Sequence, residues 1–287
     1  MISLIILHHS KAAYSQACLE SLLKSTFRPL QVINVDNGST DHTLKVLLDW
    51  ECAADERGIR ALTLPQGENI GAVEGRNVAL ERSEGDYLVF LDNDVLIAQP
   101  RWLEMLVEFL QSHPSCGIVA PRLLFPWEPF LVECCGCALS PQGRVAYLDR
   151  GAARQQTRQP RPVQAAISAA WMMRREVYET LGGLDPVYSP VQYEDLDYCY
   201  RARAIGHEVW VQPAVGIYHF EHTTTAGSDD VNFRYVTSRN AVQFKKRWKS
   251  TFEKETLAEE IDFAWRQLPK RGIEEVDWKE LCQKELQ

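Results

Sequence analysis

Residues 86–96 read DYLVFLDNDVL, and this stretch decides the fold. Tyr87 to Leu91 is a short apolar run rich in β-formers, the pattern of a strand buried on both faces of a parallel sheet. It stops at Asp92-Asn93-Asp94. Side chains alternate along a strand, so carboxylates two apart at its end can point the same way. The carboxyl edge of an open α/β sheet is where ligands bind. Two hard oxygen donors there suit Mg²⁺ or Mn²⁺, a metal commonly shared with a substrate phosphate. A polar loop after a strand accounts for so short a motif equally well.

Working outward, the chain alternates strands and helices. Ile2 to Leu7 reads as a strand, Lys11 to Lys24 as a helix, and Gln31 to Val35 as a second strand running into Asp36-Asn37-Gly38-Ser39-Thr40-Asp41. A helix from about Thr43 to Arg57 follows, capped by Asp41, then a strand at Ala61 to Pro65. A glycine-bearing loop, ENIGAVEGRN, leads into a helix before Gly85. Pro100 opens an amphipathic helix whose stripe is Trp102, Met105, Leu106, Phe109 and Leu110. The pattern predicts an α/β, Rossmann-like doubly wound sheet, mostly parallel, in the first ~120 residues.

The character changes after Pro121. Arg122 to Arg161 is rich in Pro, Gly, Arg and Gln and reads as short strands in a long irregular excursion. Apolar residues return at Ala165 to Met173, a helix is expected over Arg174 to Leu181, and another over Glu194 to Ile205. Strands Glu208 to Gln212 and Val215 to His219 come next, and residues from Val231 onward read as helical. One domain over 1–230 results, in two halves of 1–120 and 121–230, followed by a helical C-terminal extension over 231–287.

Composition narrows the function. The 287 residues are 45% hydrophobic and 24% charged, as in an ordinary globular protein. A net charge of −8 argues against a broad nucleic-acid surface. MISLIILHHS lacks a basic leader and reads as a buried strand, and the run from Val163 to Met173 falls short of the ~20 apolar residues of a membrane span, so a cytoplasmic location is expected. Phe244 to Lys249, FKKRWK, is basic with two aromatics; it reads as a solvated helix face or a peripheral contact with the inner membrane face. Cys134, Cys135 and Cys137 have the spacing of half a zinc site, but no second close Cys/His pair completes it, and free thiols near a pocket are expected instead.

Three further clusters gather toward the same sheet edge. The turn Asp36 to Asp41 follows the second strand, and Gly38 suits its sharp reversal. Glu194, Asp195 and Asp197 crowd one helix start, where the helix dipole favours ionised carboxylates. Capping explains one or two of them. His219 ends a strand as a possible metal ligand, with His222 three residues on.

Together these pieces resemble the inverting GT-A glycosyltransferases of family 2, in particular rhamnosyltransferase-like and galactofuranosyltransferase-like members. SLIILHHS, VDNGSTD, NIGAVEGRNVAL, YLVFLDNDV, AAWMMRREVYETLGGLD, YEDLDYCYRARAIGH and GIYHFEHT occur in the family's order from residue 2 to about 225. The resemblance implies a GT-A glycosyltransferase domain over 1–230, with 1–120 as its nucleotide-binding half and 121–230 as its acceptor-binding half. It implies that Asp94 and His219 hold Mn²⁺ or Mg²⁺ on the donor diphosphate, with Asp92 reaching the metal or the ribose. Asp195 then matches the catalytic base, with Glu194 and Asp197 orienting the acceptor or holding the base. Asp36 and Asn37 match the nucleobase-reading turn; many relatives have Asp-Asp here, and Asn37 offers an amide instead. Asn69 and Arg76 fall on the nucleotide side, Arg76 where a cation approaches the diphosphate. Trp171 is placed to stack on a sugar or to fill the core.

The sequence is therefore identified as that of a metal-dependent inverting glycosyltransferase. It would move a sugar from a nucleotide-diphosphate donor, UDP or dTDP by preference, to the hydroxyl of a glycan, lipid-linked or other acceptor. An inactive glycosyltransferase-like binding module is the alternative. A sugar-phosphate nucleotidyltransferase is a further one, disfavoured because LHHSKAAYS lacks a glycine-rich phosphate loop after the first strand.

Overall fold

The computed structural model describes residues 1–157, 159–221, 231–255 and 261–283. The elements in order are β1 (Ile2–His8), α1 (Ala12–Leu22), β2 (Leu30–Asp36), α2 (Thr43–Asp55), β3 (Ile59–Pro65), α3 (Ala72–Leu80), β4 (Tyr87–Asp92), β5 (Val95–Leu96) and α4 (Trp102–Ser112). Then come β6 (Cys116–Leu124), β7 (Val132–Cys134), β8 (Cys137–Leu139), β9 (Val145–Tyr147), β10 (Arg161–Val163), β11 (Ala170–Arg174) and α5 (Arg175–Leu181). The chain continues with α6 (Glu194–Ala204), β12 (Glu208–His219), α7 (Phe233–Phe252) and α8 (Trp278–Leu281).

The main sheet runs β10-β12-β6-β11-β4-β1-β2-β3. Strands β3, β2, β1 and β4 are parallel, β11 lies antiparallel between β4 and β6, and β12 is parallel to β6. Two antiparallel steps restore direction, so β6 and β12 point the same way as β4. The carboxyl ends of β1, β2, β4 and β12 thus meet along one edge, which is what gathers Asn37, Asp92 and His219. The apolar runs of β1, β2 and β4 are covered on both faces, as expected for a parallel sheet carrying helices on each side.

The division between the two halves near residue 120 falls inside β6, and β11 pairs with β4, so the described residues on either side of it share one sheet and one hydrophobic core. The two strands expected over 208–219 form a single strand with an irregular register between Gln212 and Gly216. Pro213 lies in that gap; it has no N–H to give the ladder and is accommodated by the bulge. The extension is helical over α7 and the short α8, but 261–272 is irregular, with Pro269 and Gly272 interrupting it.

The aromatic half of FKKRWK faces inward: Phe244 is fully buried against Tyr193, Tyr200 and Phe252, and the Trp248 indole N–H donates to Asp197 at 2.8 Å. Those side chains pack α7 onto the domain and are not exposed as membrane anchors. Among the described residues, no helix is long and apolar enough to cross a membrane.

Candidate active site

The Asp92-Asn93-Asp94 turn divides its side chains. Asn93 points back into the domain, donating to Ser15 Oγ at 3.0 Å, and Ser15 meets His8, which in turn meets Asn34. Asp92 and Asp94 face a cavity of about 510 Å³. The two-residue strand β5 pairs antiparallel with the end of β12, Val95 opposite His219, and this brings Asp94 Oδ1 to 3.1 Å from His219 Nε2. Ligand atoms of Asp92, Asp94 and His219 lie within 4.8 Å of one another.

Glu133 completes the group from β7. Its Oε2 lies 2.7 Å from His219 Nδ1, so Nδ1 carries the proton and Nε2 is aimed at the two aspartates. Burial alone would lower the imidazole's pKa, but the Glu133 and Asp94 carboxylates outweigh it and raise it well above the usual value. Glu133 itself is raised, mainly by burial. This residue sits in the excursion whose role the sequence left open; the signal was a lone acid in the apolar run LVECC.

Arg76 reaches from α3 into the middle of the acidic residues. It donates to Asp92 Oδ1 at 2.6 Å and Ser168 Oγ at 2.6 Å, and lies 3.4 Å from Glu194 Oε1. Only 6% exposed, it bridges the Asp92 and Glu194 carboxylates, a more committed role than a cation waiting for a diphosphate. Burial raises the Asp92 pKa even so, with Arg76 pulling the other way.

The α6 start holds Glu194 and Asp195. Asp195 accepts from Leu196 N at 2.7 Å and Ser168 N at 3.4 Å, and its carboxylate lines the cavity. The helix start was expected to keep it strongly ionised. Instead the cost of burial dominates and raises its pKa, the backbone N–H groups offsetting only part. That makes it a stronger base. Glu194 is pushed up to about 8 by burial and then by Asp195, against Arg76; its Oε2 has no hydrogen-bond partner among the described residues.

Three expected site residues lie elsewhere. Asp197 is fully buried and accepts from Tyr188, Arg201, Arg247 and Trp248, so it ties α7 to α6 and is not among the residues that line the cavity. Two residues on, about half a turn of helix, it lies on a different face from Asp195. Trp171 is wholly buried, stacked on Phe90 at 5.7 Å, and belongs to the core. Asp36 is buried and closes its own turn by accepting from Ser39 N at 3.3 Å; it does not line the cavity.

Asn37 and Asn69 do line the cavity, hydrogen-bonded to each other at 2.9 Å, with His9 Nε2 3.4 Å from Asn69 Nδ2. His9 Nδ1 faces the Asn37 carbonyl at 2.8 Å and so carries its proton. Asn37 Oδ1 also accepts from Ile70 N, which fixes the loop before α3. Gly38 is obligatory beneath it: its φ is +68°, and a Cβ would lie 2.3 Å from the Glu68 carbonyl carbon. The expected cap position of α2 is taken by His42, without a side-chain cap; Asp41, one residue earlier, accepts from Thr43 N at 2.9 Å and from Ala12 N at 3.0 Å.

Besides Glu133, a residue missed in the sequence comes from α7. Asn240 is fully buried, and its amide N–H₂ is shared among the carbonyls of Tyr188, Val191 and Gln192 at 2.7–2.9 Å. It holds the loop entering α6, where Gln192 and Tyr193 have φ of 82° and 72°. A buried amide on an otherwise polar helix has no sequence signature. The cysteine cluster is buried as free thiols, Cys134 Sγ donating to the Gly136 carbonyl. Among the described residues it forms no metal site. His222 lies outside the described residues.

The donor set of two carboxylates and one imidazole, with a carboxylate behind the imidazole, fits Mn²⁺ or Mg²⁺. Among the described lining residues there are six carboxylates, from Asp92, Asp94, Glu133, Glu194, Asp195 and Glu221, and a single arginine, Arg76. An anionic ligand would need a cation to enter with it.

The sheet order and this strand-edge cavity define the GT-A class of glycosyltransferases. The structure of GalNAc-T7 with UDP, GalNAc and Mn²⁺ aligns with a TM-score of 0.71 at 16% identity, covering 88% of this chain and 49% of that one. The mannosyltransferase PcManGT from Pyrobaculum calidifontis, in complex with GDP-Man and Mn²⁺, aligns at 0.56 and 18% identity, covering 88% and 70%. The chain belongs to glycosyl transferase family 2, whose model matches residues 3–182. Curated relatives include the O-antigen biosynthesis protein RfbC of Myxococcus xanthus, 30% identical over 227 residues, covering 77% of this chain and 17% of that protein. An uncharacterized protein, y4gI of Sinorhizobium fredii, is 27% identical over 264 residues, covering 87% and 28%. The chain thus spans less than a third of the length of these two relatives.

Proposed function

We propose that this glycosyltransferase is metal-dependent and inverting, taking a sugar from a nucleotide diphosphate, UDP or dTDP by preference, to an acceptor hydroxyl of a glycan or glycoconjugate. The observation that carries the reading is the convergence of Asp92, Asp94 and His219 within 4.8 Å, in the same cavity as Asp195. The Mn²⁺ complexes of the GalNAc-T7 and PcManGT structures support the metal, and the relationship to RfbC supports a polysaccharide setting.

Asp94, Asp92 and His219 Nε2 would hold the ion. When bound, Mn²⁺ or Mg²⁺ supplies a Lewis acid that neutralises charge on the departing diphosphate. Asn37, Asn69 and His9 form the polar wall offered to the nucleoside. Asp195 takes the proton from the acceptor hydroxyl as its oxygen attacks the anomeric carbon. The new C–O bond forms on one face while the bond to the diphosphate oxygen breaks on the other, which inverts the centre. Glu194 Oε2, buried without a partner, is placed to accept a second acceptor hydroxyl. Arg76 keeps the Asp92 and Glu194 carboxylates from repelling each other.

The test is a panel of nucleotide sugars with Mn²⁺, Mg²⁺ or EDTA, followed by calorimetry and by release of nucleotide diphosphate. One donor is expected to bind and hydrolyse slowly with Mn²⁺ only, and Asp94→Ala to lose hydrolysis. No nucleotide binding with either metal would overturn the reading.

A further inference from the structure

Eight tryptophans occur in the chain, all among the described residues, and Trp265 alone is exposed, at 54%. It lines the same cavity as the aspartates. It is also firmly held. Its ring meets Tyr147 edge-on, centroids 5.2 Å apart and planes at 76°, and the Arg150 guanidinium lies 4.3 Å over it. Arg150 Nε donates to the Arg266 carbonyl at 2.9 Å, fixing the backbone beside the ring. Arg150 pairs in turn with buried Glu221, two residues after His219. The ring is thus tied, through Arg150 and Glu221, to the strand that presents His219. A large aromatic restrained at this many points yet left half open is a preorganised contact surface, not a packing residue.

Its surroundings say which substrate it meets. Tyr147, Glu133 and Asp195 line this cavity together with Trp265, so the aromatic wall and the candidate base surround one space. Tyr193 and Phe233 line the cavity as well, from the loop before α6 and from α7. The wall of His9, Asn37 and Asn69 comes from the other half of the sheet and is amide-rich. A pyranose ring has a face made of C–H groups carrying slight positive charge, which matches the negative face of an indole. The surrounding carboxylates suit the hydroxyls at its edge.

We propose that Trp265 is the stacking platform for the acceptor, and that the acceptor presents a neutral sugar ring there. The platform rests on the transferase reading above. Sugar stacking on the free indole face would place a ring-edge hydroxyl toward Asp195, and the C-terminal extension would then select the acceptor.

The full chain, saturated with UDP and Mn²⁺, is titrated with methyl glycosides of neutral hexoses, deoxyhexoses and N-acetylhexosamines, read by tryptophan fluorescence and saturation-transfer NMR. At least one glycoside is expected to change wild-type emission. Trp265→Ala is expected to weaken its NMR-detected binding at least tenfold, and Trp265→Phe to stay within threefold of wild type. Leu48→Ala, exposed on α2 and away from the cavity, serves as the control and should match wild type. Equal binding to wild type and Trp265→Ala overturns the platform, as does a wild-type protein that binds UDP but no glycoside. Both leave the donor reading standing. Failure of wild type to bind UDP falls on the transferase reading itself, and on the platform with it.

Discussion

Glu133→Gln isolates the carboxylate behind the metal-binding imidazole. The substitution keeps size and one acceptor oxygen and removes the charge from a site with no solvent access, where Oε2 is 2.7 Å from His219 Nδ1. A buried carboxylate on Nδ1–H raises electron density at Nε2 and fixes the ring; losing such a partner costs 10–100-fold in metal affinity, about 1.4–2.7 kcal/mol. A second effect opposes this. Glu133 also strengthens the imidazole's hold on its own proton, so its loss relieves proton competition. Competition fades as pH rises, so the deficit should be larger at pH 9 than at pH 7. The assay is Mn²⁺ titration by calorimetry or electron paramagnetic resonance at both pH values, with thermal unfolding in EDTA to confirm the fold. A folded Glu133→Gln protein that binds Mn²⁺ as tightly as wild type at pH 9 would refute ligation through His219 Nε2.

Three shorter expectations follow from the same geometry. Asp195→Asn should lower kcat by about 10²–10⁴ while donor affinity, read by calorimetry, stays put; an unchanged kcat would remove it as the base. Asp197→Asn should destabilise the protein by about 3–5 kcal/mol in urea unfolding, because Arg201 and Arg247 lose a buried partner; unaltered stability with a raised acceptor KM would return it to the substrate site. Burial lowers the His8 pKa from 6.5 to about 4, although its Asn34 hydrogen bond resists. Its folded form is the neutral one, so its contribution is complete above pH 6.5 and is lost as pH falls toward 4. The full difference is about 3 kcal/mol. His8→Gln should flatten the stability profile over that interval, and an identical profile would show that His8 does not set it.

What sequence alone determined was local in origin. Apolar runs ending in polar turns located β1, β2 and β4, and the two-residue alternation of a strand put Asp92 and Asp94 on one side and Asn93 on the other. The strand-end His219 was readable for the same reason. Helical spacing set Asp197 off the face of Asp195, but not which face would look inward; packing of α7 decided that, by supplying Arg247 and Trp248. Burial likewise overrode the helix start at Asp195, because desolvation depends on what the rest of the chain brings over it. Trp171 and Trp265 are one residue type with opposite fates. The first is sealed between Phe90 and Tyr198, and the second is held open by Tyr147 and Arg150 from a segment more than a hundred residues away in sequence. Glu133, Asn240 and Arg76 reach partners 48 to 118 residues distant, in contacts such as Arg76 with Glu194 and Glu133 with His219 that no periodicity encodes. The strand order carries that information, since it is the antiparallel insertion of β11 that turns β12 to face the same edge as β4.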